Sequence, residues 1–308
     1  MAPIPDNAAV LGIGQQGAKG SPATPSVVLG HAGTPSLAPG VQLVTLAETD
    51  SSAQAGIDVV VGTQPGGNAE HYLRPSSFGL VAFALMGGGS PGTATPSQTQ
   101  DYFTLVEDWA LGTMVVQYED AKCTELVVTA QNGQVVTYTS TWQALSYAYG
   151  GGSIGPITEL ETPLAWPSVQ VIRNGSHPGT ANTCTLTINR NATRVPGDQG
   201  FSNIDVVPGL FNVTGEMQVL FEDDQAMRAF ATGSPTGTVA TPTLYSETLT
   251  LDIHDTTGRG CSFDMAAIQF TNVTTAVGTN AAPAFMTMQF KTQRQANIAD
   301  NLTINTTA

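Results

Sequence analysis

Short runs of Val, Thr and Tyr recur along the chain between Gly, Pro and Asn, and inside them apolar and polar residues alternate. A period of two marks strands with one buried face, joined by turns. The clearest pair is ELVVTAQNGQVVTYTSTW, Glu125 to Trp142, where Asn132-Gly133 supplies a positive-φ turn between two β-rich arms. In the second arm Val136, Tyr138, Ser140 and Trp142 share one face, and Thr137, Thr139 and Thr141 share the other. The pattern therefore predicts one buried face and one lined by hydroxyls. A second set comprises CTLTINRN from Cys184, a loop through Pro208-Gly209, and LFNVTGEMQVLFED from Leu210. Here Phe211, Val213, Met217, Val219 and Phe221 oppose Asn212, Thr214, Glu216 and Gln218. Further strands are expected at Leu249–Ile253, Cys261–Phe270 and Phe285–Lys291. One helix is expected, over about 222–232: Asp223 or Asp224 can cap it, Ala226, Met227 and Phe230 form an apolar stripe, and Gly233 can stop it. The fold class is all-β, of sandwich or barrel type, with that single short helix.

Residues 1–40 are mostly Pro, Gly, Ala and Ser, a composition too poor in apolar bulk to make a core of its own, and they read as an extended N-terminal arm. The β domain follows over 41–292, and 293–308 reads as a C-terminal arm. The halves 41–165 and 166–292 are faintly alike. An internal duplication would produce that likeness, and so would shared strand propensities.

Charge narrows the range of functions. Only 11% of the 308 residues are charged, and 24 acids against 10 Lys and Arg give a formal charge of −14. A chain this acidic repels the nucleic-acid backbone, so binding through counterion release is not expected. Low charge also predicts that much of the surface is covered by neighbours. No run of 18 apolar residues occurs, and the N-terminus lacks the basic and apolar regions of a secretion signal. No membrane contact is expected, and assembly is expected in the cytoplasm where the chain is made. Cys123, Cys184 and Cys261 each lie in a strand-like run and read as buried thiols.

Several motifs match chemistry in spelling but not in setting. Gly12, Gly14 and Gly17 form a G-x-G-x-x-G string, yet Pro22 and Pro25 interrupt the helix that dinucleotide binding would need. Two G-x-S-x-G strings, around Ser90 and Ser153, lie in glycine runs with no helix behind them to form a nucleophile elbow. His31, His71, His177 and His254 lack the spacing of a zinc site, although Asp252 and Asp255 flank His254. Glu107-Asp108, Glu119-Asp120 and Glu222-Asp223-Asp224 are acidic clusters, but nothing selects two of them as a catalytic pair. Neither catalysis nor a cofactor is expected.

The order of these features resembles the tail tube, or major tail, proteins of long-tailed phages. LGIGQQGAKGSPATP, from Leu11, is similar to that family's N-terminal signature. The block from Phe103 to Leu145 is similar to its strand, corner, strand and hairpin unit, with Tyr118-Glu119-Asp120-Ala121-Lys122 at the corner and Asp120 in place of the usual glycine. CTLTINRN and NVTGEMQVLFEDDQAMRAF are similar to its later strand, V-T-G strand and helix. The resemblance implies rings whose inner strands close into a barrel and which stack into a tube. It implies contacts with copies of the chain, with a tape measure protein inside the tube, and with terminator and tip proteins at its ends. Double-stranded DNA would pass without specific binding. On that reading Glu216, then Asp252 and Asp264, are the candidate acids facing the lumen, each being the polar position of an alternating strand. Three subunits would complete a ring if the duplication is real, and six if it is not.

Overall fold

A computed structural model of the chain describes residues 9–33, 36–46, 57–109, 114–154, 161–175, 181–197, 203–221, 224–240, 245–276, 284–293 and 302–308. The elements begin with β1 (Ala9–Gln15), β2 (Val27–Gly30), β3 (Val41–Leu46), β4 (Ile57–Thr63) and β5 (Gly66–Tyr72), followed by helix α1 (Pro75–Met86). Next come β6 (Gly87–Ser90), β7 (Thr93–Pro96), β8 (Phe103–Trp109), β9 (Met114–Gln131), β10 (Thr137–Gln143) and β11 (Ser146–Tyr149). After a 3-10 turn at Trp166–Ser168 the chain forms β12 (Val169–Arg173), β13 (Ala181–Asn189), β14 (Thr193–Pro196), β15 (Asn203–Val207) and β16 (Asn212–Leu220). Helix α2 (Gln225–Thr232), β17 (Glu247–His254), β18 (Gly260–Ala276), β19 (Phe285–Thr292) and β20 (Thr303–Thr307) complete it.

Two strands organise the rest. β9 has 18 residues and β18 has 17, well beyond the ordinary strand length of roughly 3–10 residues, so each serves two sections of sheet. The second half of β9 lies in a wide antiparallel section ordered β5–β10–β9–β13–β16–β19–β18. Its first half pairs with β8 and β11, and β8 pairs in turn with β1. The first half of β18 likewise pairs with β17 and β20, and β17 pairs with β12. β9 changes section at Asp120, whose φ of 52° lies in the left-handed region that Asp tolerates better than most residues. This is the corner where the sequence carries Asp in place of glycine. The Asp120 carboxylate accepts the Gly20 N–H at 2.7 Å.

One core lies beneath the wide section. Val136, Tyr138, Ser140 and Trp142 are buried as the alternation predicts, and the Trp142 indole donates to Ser140 Oγ at 3.0 Å. The Asn132-Gly133 turn is closed by a Gln134 N–H to Gln131 C=O bond, with positive φ at Gly133 alone, as in a type II turn.

The expectation of a single helix is corrected by α1. Its sequence PSSFGLVAFALM is apolar nearly all round, and all but Ser76 of its residues are buried. An amphipathic stripe is therefore absent, and the 3.6 periodicity that reveals surface helices is missing. Pro75 sits in its first turn and Gly87, at φ 78°, ends it. Phe78 packs edge-on against Tyr138 of β10 at 5.0 Å and Phe263 of β18 at 5.8 Å, so this helix joins the two long-strand systems. In α2 Ala226 and Ala229 are buried and Met227 is half-buried against the core, so the expected stripe holds at Ala226 and Met227 and fails at Phe230, which is exposed. Gly233 ends α2 as expected; Asp224 stands at its N-cap but pairs with Arg228 and makes no side-chain cap bond.

The assignment of residues 1–40 to an extended arm also changes over their described part. β1 pairs along its whole length with β8, and Leu11 and Ile13 are fully buried. Gly12 and Gly14 make room for a crossing segment: a Cβ at Gly14 would lie 2.6 Å from the Thr24 carbonyl. Within 293–308, β20 pairs with β18. Strand alternation was present in both stretches, but Gly and Pro diluted it in the first and it was confined to Leu302 and Ile304 in the second.

Gly215 of β16 faces Phe290 of β19, and a Cβ there would lie 2.3 Å from the ring. Gly215→Val is expected to destabilise the chain by about 1–3 kcal/mol through overpacking. Urea denaturation measures it, and Phe290→Leu in the same chain should recover part of the loss.

Candidate functional site

The side of the wide section opposite the core is open and polar. Cross-strand register arranges it in rows. One row runs Tyr72, Thr137, Thr129, Thr185, Glu216, Gln289 and Asn272 from β5 to β18. The next runs Glu70, Thr139, Val127, Thr187, Thr214, Lys291 and Gln269. Others hold Asn68, Thr141, Glu125, Asn189 and Asn212, or Gln131, Thr183, Gln218, Thr287 and Thr274. Strand sequences of the T-x-T-x-T type create this face, because every second residue points to it. Threonine suits the position twice, by its β-branched backbone preference and by its hydroxyl.

Charge on this face is sparse. Its described charged positions are Glu70, Glu125, Glu216 and Lys291. Two of the carboxylates are held by neighbouring amides: Asn189 Nδ2 donates to Glu125 Oε2 at 2.6 Å, and Gln289 Nε2 donates to Glu216 Oε2 at 2.9 Å. Lys291 is exposed and lies diagonally from Glu216 across β16 and β19. Between them is a depression of about 380 Å³ lined by Thr185, Thr187, Thr214, Glu216, Gln289 and Lys291. Such a surface holds water through neutral donors and acceptors and offers little fixed charge to a passing polyanion.

Of the acids singled out in the sequence, Glu216 stands in the middle of this face. Asp252 and Asp264 belong instead to the section formed by β12, β17, β18 and β20. Asp264 accepts from Thr250 Oγ1 at 2.9 Å, Ser262 Oγ at 3.0 Å and Asn305 Nδ2 at 2.9 Å. Asp252 lies 2.5 Å from His254 Nδ1. The structure thus separates the three candidates. It brings Lys291 diagonally beside Glu216 and places Glu125 farther along the same face, neither of which the sequence pattern alone singled out, although the alternation of ELVVTAQ and MTMQFK already placed them on the open side.

The discarded motifs meet no chemistry among the described residues. Ser90 ends β6 and leads through a tight turn into β7, with a strand behind it where a nucleophile elbow needs a helix. Ser153 lies in an exposed loop. Among the described residues no group of three His, Cys, Asp or Glu side chains is placed to hold a metal ion. His177, Glu222 and Asp223 lie outside the described residues. Cys123, Cys184 and Cys261 are free and buried, and burial pushes the Cys184 thiol up to about 12.

Two buried groups are held away from their ordinary protonation. Burial raises the Glu107 carboxyl to about 7. His71 is stacked on His31 with ring centroids 5.2 Å apart, and burial lowers its pKa to about 3, against the opposing hydrogen bond from its Nδ1 to the Gly30 carbonyl and with nearby Arg74 adding to the fall.

A family model described as phage tail tube protein matches residues 6–262, which is most of the chain. The chain belongs to the phage tail tube protein family. No curated protein matches it significantly. Membership makes it a structural component of the virion tail and implies that it assembles with itself and with other tail components.

Acid should weaken this tail tube protein through His71. The unfolded imidazole takes up a proton below about pH 6.5 while the folded one resists until about 3, so stability is full above 6.5 and falls across that window by up to about 1.4 kcal/mol per pH unit. Glu107 acts in the opposite sense, costing stability as pH rises from about 4.5 to about 7. Denaturation midpoints of the unassembled chain between pH 3.5 and 6.5 should show a shallower acid slope for His71→Phe than for the native chain.

Proposed function

We propose that copies of this chain form rings that stack into the tube of a phage tail, and that the polar face of the wide sheet section lines the channel through which DNA leaves the virion. The observation that carries this reading is the face itself: seven strands of Thr, Asn and Gln with few charges, backed by a continuous core. The formal charge of −14 adds long-range repulsion of phosphate. DNA then passes over bound water without contacts that would have to be broken at each step. Asp252 and Asp264 extend the acidity of the wall if their section also turns inward.

Exposed apolar positions support self-assembly. The β3–β4 ribbon shows Leu43 at 57%, Val44 at 45% and Val60 at 42% exposure, with Leu43 and Val60 on one face and Val44 and Val59 on the other. A two-stranded ribbon with apolar residues on both faces is marginal in water and gains stability by being covered. On this reading the tape measure protein occupies the channel before DNA, terminator and tip proteins close its ends, and assembly takes place in the host cytoplasm. The chain performs no catalysis.

Negative-stain microscopy of the purified chain should show hollow tubes or stacked rings; persistent monodisperse particles would count against the reading. In virions, Glu125→Lys with Glu216→Lys should leave tube formation intact and slow DNA release severalfold, because new cations bind phosphate. Release at the native rate would remove these residues from the channel wall.

A further inference from the structure

The two long-strand systems share one plan. β5, α1, β8, β9, β10 and β11 follow in the same order, with the same pairings, as β16, α2, β17, β18, β19 and β20, and β1 pairs with β8 as β12 pairs with β17. The irregularities coincide too. Thr124 is passed over between the Glu125–Thr141 and Cys123–Trp142 pairs, and Thr271 between the Asn272–Gln289 and Phe270–Phe290 pairs. Residues 119–120 are passed over between Phe103–Ala121 and Leu105–Tyr118, and residues 266–267 between Glu247–Ile268 and Leu249–Met265. Gly67 pairs with Trp142 as Gly215 pairs with Phe290, and both helices end on a left-handed glycine. Shared strand propensities account for repeated alternation, but not for two bulges at matching positions.

One junction is not repeated within the chain. The second half of β9 has β10 on one side and β13 on the other, from Gln131–Thr183 to Glu125–Asn189. Its counterpart, the second half of β18, has β19 on one side and no strand among the described residues on the other. The counterpart of β13 is the segment 36–40. It precedes β5 in the chain and pairs beside it as β13 precedes and pairs beside β16, with the Ser36 N–H donating to the Asn68 carbonyl at 2.8 Å and Ala38 and Gly66 exchanging bonds at 2.9 and 3.0 Å. Its outer side is likewise unpaired among the described residues.

We propose that the chain is two copies of one unit, and that the free edge of β18 pairs with segment 36–40 of the next copy, repeating between chains the junction that β9 and β13 make within one. This rests on the tube reading and names the contact that closes a ring. The internal junction sets the register. Thr185–Thr129, Thr187–Val127 and Asn189–Glu125 translate to Ser36–Ala276, Ala38–Thr274 and Gly40–Asn272. Neither Ser36–Gly40 nor Gln269–Ala276 holds a charged residue, so two chains of charge −14 can meet there without close like-charge contacts. Because Ala38 directs its backbone groups at β5, the Leu37 N–H and C=O face the incoming strand, as in other strand additions. Pro39 removes one donor from this edge and blunts it against indiscriminate pairing. The units then run from about residue 9 to 149 and from about 169 to 307 and include strands from both compositional arms. A head-to-tail contact of this kind closes into a ring when its rotation divides a full turn.

The test is Ala38→Cys with Thr274→Cys, oxidised after assembly; the natural thiols are buried. Disulfide-linked multimers are expected from the double variant in tubes, and neither from the single variants nor from Ala38→Cys with Gln269→Cys, which lies too far along the strand to bridge. Tubes that form without cross-links, or that cross-link equally through Gln269→Cys, would overturn the pairing and leave the tube reading standing. A native chain that never assembles would overturn both. If the double variant does not fold, hydrogen exchange of the native chain decides. The Leu37 amide should be protected at least tenfold more in tubes than in monomers, and equal exchange in the two states would refute the junction.

Discussion

A strand in the middle of a sheet must satisfy backbone donors and acceptors on both sides, and the fold depends on how β9 meets that demand. Its second half is paired on each edge, by β10 and β13, and its first half carries β8 and β11. Through β13 it holds β16 and β19, and through β8 it holds the N-terminal strand β1. Core side chains then fill one side, with α1 packed across both long strands, and the other side is left free for polar residues. Loss of pairing at β9 would therefore disconnect the halves of the chain as well as one hairpin.

The functional reading follows from the free side. A sheet face built from Thr, Asn and Gln satisfies the strand preference of the backbone and still presents donors and acceptors to water. Its carboxylates are few, and Glu125 and Glu216 are held by neighbouring amides. The face is therefore sparse in charge but net acidic, with three carboxylates against one lysine among its described positions. For a channel that must let a polyanion slide, this combination supplies hydration close to the wall and repulsion at longer range.

Much of this was legible in the sequence because period-two alternation is a local signal. The Glu125–Trp142 hairpin, the buried Trp142 and the open face of β16 follow directly from it. Helix α1 did not, because burial on all sides erases the stripe that a surface helix displays. Phe230 was placed on a buried stripe by spacing, whereas Ala226, Ala229 and Met227 make the contact and leave the ring exposed. The lumen candidates were chosen strand by strand, and only register across β9, β13, β16 and β19 could separate Glu216 from Asp252 and Asp264, bring Lys291 beside it and place Glu125 on the same face. The corner at Asp120 shows the reverse case: sequence likeness located it, and a left-handed backbone conformation explains why glycine would also serve there.

The most direct measurement is a helical reconstruction of the assembled tube by electron cryomicroscopy, at a resolution that traces side chains. The account predicts that Thr185, Thr187, Glu216 and Gln289 line the inner wall, with Trp142, Met217 and Phe290 behind them. A reconstruction with that polar face on the outside of the tube, or packed against a neighbouring ring, would contradict it.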